Sequence, residues 1–315
     1  ARAPAEPVTD PAAYAAPPSP PQNPRHLAPP PAALQPTKVT PPSIGMQING
    51  IDLSDTEELL RKLNLDHSVP PVSDLFKGGT SQAVKRFKRF IRYRLEHYDQ
   101  HSNQPQTDDI SHMSPYLHFG QISPLFLALQ LRKAPNSLKA SKDAYLEELV
   151  VRRELAMNFA CYTDNYDAYT CIPGWAQKSL AEHEHDKREY VYSRRQLETA
   201  GTHDPYWNAC MLEMKHTGFM HNYMRMYWGK KILEWSATPQ KAYRTTLAIN
   251  NKYFLDGRDA NSYTGVAWIY GVHDRAWAER SIFGKTRYMA ASGLERKCDI
   301  AAYVKKVEDL VKKVR

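Results

Sequence analysis

The stretch TSQAVKRFKRFIRYRLEHY, residues Thr80–Tyr98, decides the class of the fold. Its apolar residues Ala83, Phe87, Phe90, Ile91 and Leu95 recur at helical spacing, which gathers them on one face of a helix and scatters them in a strand. Lys85, Arg86, Lys88, Arg89 and Arg92 fall on the other faces, so the expected element is an amphipathic helix with a basic exterior. The ordinary reading of such a charge run is a solvated face, and alone it names no partner.

Working outward, the same periodicity runs through Asp143–Tyr162, Ser193–Glu198, Asp204–Thr217 and Met220–Trp235, while the alternation of half-buried strands is scarce. The predicted class is all-α. Upstream, SDTEELLRKL offers Ser54 as an N-cap with Glu57 three residues later, the pattern of a capping box. Residues 1–42 hold 14 of the 23 prolines and few large apolar residues, so they cannot bury enough surface to offset chain entropy. They are read as a disordered proline-rich tail ahead of a helical domain, 43–315. The tail carries three basic and two acidic residues, which leaves +7 of the +8 net charge on the domain. A basic domain favours a polyanionic partner such as nucleic acid.

Cys161, Cys171, Cys210 and Cys298 lie far apart with no CxxC pair, which argues against a zinc site and against a disulfide framework. No apolar run reaches the roughly 18 residues of a membrane span, and no secretory signal is visible. The expectation is a soluble protein of a reducing intracellular compartment, nucleus or cytoplasm, with no membrane and no metal. Three motifs fail on inspection. FGKT at Phe283–Thr286 has Glu279 where a phosphate-binding loop needs its first glycine. HEHD at His183–Asp186 lacks histidines four apart and is read as a solvated helical face. A calcium loop starting at Asp256 would need oxygen ligands where Arg258 and Ala260 stand.

Two stretches carry more. SHMSPYLHFGQIS, residues 111–123, places serines around a proline suited to start a helix, either a plain capped helix or a site where free N–H groups meet a phosphate. In HNYMRMYWGKKILEW, Trp228 and Trp235 lie almost two turns apart, about 10 Å along one helix face. Such indoles are most often core, but with Trp207 on the preceding helix they could also form an electron-hopping chain.

SPYLHFGQIS, ELVVRRELAMNF, THDPYWNA, MHNYMRMYWGKKILEWS, NNKYFLDGRDANSYTGVAW, GVHDRAWAERSIFGKTRYM and RKCDIAAYV together resemble the FAD-binding catalytic domain of class II cyclobutane pyrimidine dimer photolyases, from about Asp55 to the C-terminus. The resemblance implies light-driven repair: reduced FAD, excited by blue light, passes an electron to a pyrimidine dimer flipped out of double-stranded DNA, and the electron returns after the ring splits. It implies that Tyr98, Ser111, Met113 and Ser114 line the phosphate and adenosine side of FAD. Arg225, Asp256 and Gly257 would lie beside the isoalloxazine, with Asn250 at the flavin N5, favouring the reduced forms. Trp228, Trp235 and Trp207 would carry electrons for photoreduction. Glu148 would hydrogen-bond the dimer, which requires a proton on it and therefore a raised pKa. Trp268 would face the flipped bases, and Lys285 and Arg287 would engage the DNA.

Against that family the N-terminal α/β antenna domain is expected to be absent, so no antenna chromophore is expected, and a monomer is. Ser102 stands where the family typically has Arg, and Arg152 where some members set a Trp against the lesion. Two other readings compete: a cryptochrome-like blue-light sensor, and a non-catalytic DNA-binding remnant without flavin.

Overall fold

The computed structural model describes residues 55–72 and 75–314. The expected tail 1–42, its boundary with the domain, and the expected cap at Ser54 lie outside the described residues. The chain divides into two units, residues 1–64 and 65–315. In the first, the described element is α1, Thr56–Lys62, whose N-cap is Asp55: its carboxylate accepts from Glu58 N at 2.9 Å. The helix thus starts one residue later than a Ser54 cap would place it.

The second unit is helical throughout. In chain order it contains α2 (Thr80–Tyr93), α3 (Tyr98–His101), α4 (Ser114–His118), α5 (Pro124–Arg132), α6 (Lys139–Leu146), α7 (Arg153–Tyr162), α8 (Gly174–Glu182) and α9 (Arg194–Glu198). There follow α10 (Pro205–Thr217), α11 (Asn222–Glu234), α12 (Pro239–Tyr253), α13 (Ala260–Ile269), α14 (Ala291–Lys297) and α15 (Ile300–Val314). Among the described residues there is no strand, only an isolated antiparallel bridge between Arg280 and Gly284. The all-α expectation holds.

Local chemistry explains the starts of these helices. Proline occupies the first turn of α5, α10 and α12, where its missing N–H costs nothing, and the preceding Ser123, Asp204 and Thr238 supply the caps. Asp204 accepts from both Tyr206 N and Trp207 N, at 2.9 and 3.1 Å. Ser193 and Gln196 complete a reciprocal capping box on α9. α10 ends at Gly218 in the left-handed conformation, where a side chain would strike Leu255.

Two hydrophobic cores result. One gathers Phe87, Phe90, Leu95, Tyr98, Leu127 and Tyr145 from the first helices; the other packs Trp207, Met211, Trp228, Tyr243, Tyr270 and Tyr303. On α2 the apolar stripe lies as predicted, with Ala83, Phe87 and Phe90 buried. Its basic face is less uniform. Lys85, Lys88, Arg89 and Arg92 are exposed, but Arg86 donates to Leu75 O at 2.6 Å and lies over the Phe76 ring. The HEHD stretch also differs from expectation, because α8 ends at Glu182 and residues 183–186 form a turn.

α11 and α13 cross where Gly229 leaves room for Ile269; a Cβ on Gly229 would stand 2.1 Å from Ile269 Cδ1 and 3.0 Å from Cγ1. The next residue, Lys230, is buried and donates to the Ile269 carbonyl, capping α13, while burial pulls its pKa down to about 7. Gly229→Ala is therefore expected to destabilise the protein by about 1–3 kcal/mol through overpacking, despite alanine's better helix propensity, as a lower midpoint in denaturant unfolding.

Candidate functional site

A cavity of about 540 Å³ lies at the seam between the two cores. One wall comes from Tyr98, Ser111, Met113, Ser114 and Tyr145, the other from Arg225, Trp228, Asn250 and Asp256, with Glu148 at its edge. Residues separated by more than a hundred positions in sequence thus face one space.

On the first wall, Tyr98 and Tyr145 meet edge to face at 5.3 Å, and the Tyr145 hydroxyl donates to Ser111 Oγ at 3.1 Å. Burial pushes both phenols far above their ordinary range, so they stay protonated. The expected serine cap at the start of α4 is not formed. Met113 holds the cap position without a side-chain hydrogen bond, and the capping serine of this stretch is Ser123, at α5. The backbone reaches Met113 through His112, at φ +54°, which is held by an Nε2 contact to Asp108 Oδ1 at 2.7 Å.

The second wall is built around an ion pair. Arg225 on α11 donates both terminal nitrogens to the two carboxylate oxygens of Asp256, each at 3.0 Å. Its Nε donates to Met220 O at 3.0 Å and its guanidinium lies 3.9 Å from the centre of the Phe254 ring. Asp256 sits in the turn between α12 and α13, where Gly257 packs so closely that a Cβ would come 2.9 Å from Phe254 O and 3.0 Å from Asn250 O. Gly257 is therefore a packing residue of this turn and does not line the cavity. Buried Asn250 spends its amide nitrogen on Asn251 Oδ1 and Ser262 Oγ, at 2.9 and 2.6 Å, leaving its carbonyl oxygen as an open acceptor. His221, capping α11 through Nδ1, stays neutral because burial drives its pKa down to about 3.

Trp228 lines the cavity with its Nε1 buried and unpartnered. From it a line of contacts leads outward, the first a hydrogen bond and the rest between rings. Trp207 donates its Nε1 to Trp228 O at 2.9 Å, and its ring meets Trp235 at 5.7 Å. Trp235 in turn touches Tyr192 at 5.4 Å and His203 at 5.2 Å, at the surface. The three tryptophans are buried.

Glu148 falls within a π-helical segment, Glu147–Arg152, between α6 and α7. It keeps contact with water at the cavity edge. Its carboxyl is nevertheless raised above the usual range, first by desolvation and then by Glu147, against the opposing charge of Arg152. Six predicted residues do not join the cavity lining: Trp207 and Trp235, which lie behind Trp228, and Gly257, Trp268, Lys285 and Arg287. Half-buried Trp268, on α13, is covered by Arg152 at 5.2 Å and meets His273 at 5.4 Å. Exposed Lys285 and half-buried Arg287 follow the turn at Gly284, with Arg287 over Trp277 at 5.2 Å.

That turn explains HEHD. Asp186 accepts from Ile282 N at 2.8 Å and Ser281 Oγ at 3.0 Å, and His183 bridges Asp186 and Glu279, which together raise its pKa. The stretch is a clasp on the Lys285 loop. Sequence reasoning missed several cavity residues, among them His112, Asn222, Ser262 and Gly265. All four lie within the quoted stretches, and that position was their only signal. Because Asp256 neutralises a partly buried guanidinium, Asp256→Ala is expected to lower the unfolding free energy by about 3 kcal/mol in denaturant titration.

No family model matches the chain. It is 50% identical over 269 residues to the deoxyribodipyrimidine photo-lyase of Methanothermobacter thermautotrophicus, covering 84% of this chain and 59% of that relative. It is also 50% identical over 262 residues to the deoxyribodipyrimidine photo-lyase of Oryza sativa subsp. japonica, covering 81% of this chain and 52% of the relative. The chain thus spans little more than half the length of these curated relatives. A bacterial class III photolyase from Agrobacterium tumefaciens shares the fold, with a TM-score of 0.58 at 19% identity over 75% of this chain and 46% of that one. With half its residues shared across four fifths of its length, the chain matches the deoxyribodipyrimidine photo-lyases over the part of them that it spans.

Proposed function

We propose that this chain is the FAD-carrying, catalytic part of a class II-type photolyase that repairs cyclobutane pyrimidine dimers in double-stranded DNA. The observation that carries the reading is the cavity, in which Arg225–Asp256, Asn250, Trp228 and Glu148 face one space although they come from three separate stretches of sequence. The donor set suits a flavin. The volume of about 540 Å³ falls within the range of small-molecule and cofactor sites. Gly265 lines the cavity with nothing within 4 Å of where its Cβ would stand, and Asn250 and Trp228 each carry an unused polar atom.

FAD, when bound and reduced, supplies the light-driven electron. Tyr98, Ser111, Met113 and Ser114 would hold its phosphate and adenosine side, and Arg225, Asp256 and Asn250 its ring system. The Asn250 carbonyl oxygen can accept a hydrogen bond from a ring N–H, and that preference favours the reduced cofactor. Trp207 and Trp235 would relay electrons inward to Trp228 from the surface. Glu148, kept protonable by its desolvated position, can donate to a carbonyl of the dimer and so stabilise the negative charge that develops there. Trp268 offers an aromatic face beside it. Lys285, Arg287 and the exposed cations of α2 suit the phosphate backbone. A damaged pair is already weakened, which lowers the cost of flipping it out.

The decisive experiment is the absorbance spectrum of the purified protein, followed by blue light on a dimer-containing oligonucleotide after chemical reduction. Bound flavin with light-dependent recovery of intact pyrimidines is expected; flavin that photoreduces without repair would favour the sensor, and no flavin the remnant. Trp228→Phe is expected to abolish photoreduction while the chemically reduced protein still repairs. Asn250→Leu is expected to keep DNA affinity and to reoxidise faster in air, followed by flavin absorbance.

A further inference from the structure

The helix that carries Glu148 is not a regular α-helix. In the π segment Glu147–Arg152 the residue one turn on is five positions away, not four, so Glu147 and Arg152 are stacked neighbours. Arg152 Nε lies 3.4 Å from Glu147 Oε1, and its guanidinium lies over the Trp268 ring at 5.2 Å. An acidic group on one side and an indole face on the other hold a cation beside the cavity-lining pair Glu147 and Glu148, although 42% of its side chain meets water. Glu148 is the adjacent carboxyl on the same turn.

Other ionisable groups near this point are already settled. Tyr98, from α3, stays protonated through burial. Across the cavity Arg225 is neutralised by Asp256, and Asp259 is paired with His118 at 3.3 Å. Arg153 lies 3.9 Å from Glu154. His273, beyond Trp268, has its pKa lowered by burial and by Arg152 and is neutral. The local charges left to act on Glu148 are Arg152 and Glu147, and they act in opposite senses.

We propose that Arg152 is a positioning residue that sets the upper pH limit of repair by controlling where Glu148 gives up its proton, with Glu147 and Trp268 holding it in place. The inference rests on the reading of Glu148 as the hydrogen-bond donor to the dimer. A cation beside a carboxyl favours the charged form, so Arg152 moves the loss of the Glu148 proton to lower pH. Replacing it by a neutral group removes that pull and leaves the Glu147 anion uncompensated, and both changes retain the proton to higher pH.

The test uses the full chain with two readouts. Infrared difference spectroscopy follows the protonated Glu148 carbonyl band, assigned by its loss in Glu148→Gln, through a pH titration without light or DNA. The second readout is the repair rate of chemically reduced protein against pH. Arg152→Gln is expected to move both midpoints upward by about half a pH unit to one unit, a modest shift because the guanidinium is partly solvated. Arg152→Lys, which keeps the charge, is expected to stay near the parent midpoint, and Glu147→Gln to move it downward. Unmoved infrared midpoints in both neutral variants would overturn the proposal. If the infrared midpoint moves as expected but the repair profile does not, or Glu148→Gln repairs at the parent rate, the assigned role of Glu148 fails and the control of its proton by Arg152 stands as a binding-site property alone.

Discussion

The geometry of the cavity depends on the bidentate ion pair between Arg225 and Asp256. Arg225 leaves α11 in its first turn; Asp256 lies in the turn that joins α12 to α13. Their contact ties three helices together at one point. The fixed fork of a guanidinium accepts little error in the position of a carboxylate, so the pair sets both the distance and the orientation of the two elements. The third donor, Nε to Met220 O, and the Phe254 ring under the guanidinium complete the enclosure. A partly buried pair of this kind contributes little net stability compared with apolar packing, and its value lies in geometry. It places Asn250 and Trp228, on helices it connects, at the same wall.

Around that point the structure combines rigid and strained features. Large buried aromatic residues (Trp207, Trp228, Tyr227, Tyr243, Tyr270) fill the second core, and their packing leaves the tryptophans no freedom to drift out of contact. On the opposite side, the π turn at Glu147–Arg152 breaks the regular register of the long helix and presents Glu148 toward the cavity and Arg152 toward Trp268 at the same time. An uninterrupted α-helix would have changed the direction of every side chain after the insertion by about 100°. π turns recur at functional sites for this reason. Here it places Glu148 on the cavity lining and gives its neighbour Glu147 the cation.

The loop that carries Lys285 and Arg287 is organised independently of the cavity. Asp186 and His183 anchor it from the turn after α8, and Gly284 passes so close to Ser179 that a Cβ would stand 2.3 Å from its hydroxyl. Anchoring of this kind fixes a short loop that exposes Lys285 and lays Arg287 over Trp277.

The sequence by itself determined the helical class, the buried face of α2, the helical spans that open at Ser193 and Asp204, and, through its motif stretches, most of the residues that share the cavity. These are local properties: periodicity, capping chemistry and proline position act within a few residues of one another. Only the tertiary structure decided that Met113 stands at the uncapped start of α4, that Arg86 turns inward to Leu75, and that HEHD is a clasp. It also decided that Gly257 packs a turn while Trp268, Lys285 and Arg287 stand outside the cavity lining. Each of these depends on partners far away in the chain, Glu279 for His183 and Arg152 for Trp268. The π turn belongs to the same group: nothing in ELVVRR separates it from α-helix, and the partners it meets outside its own helix, α5 and, through Arg152, Trp268 of α13, are brought to it only by the fold.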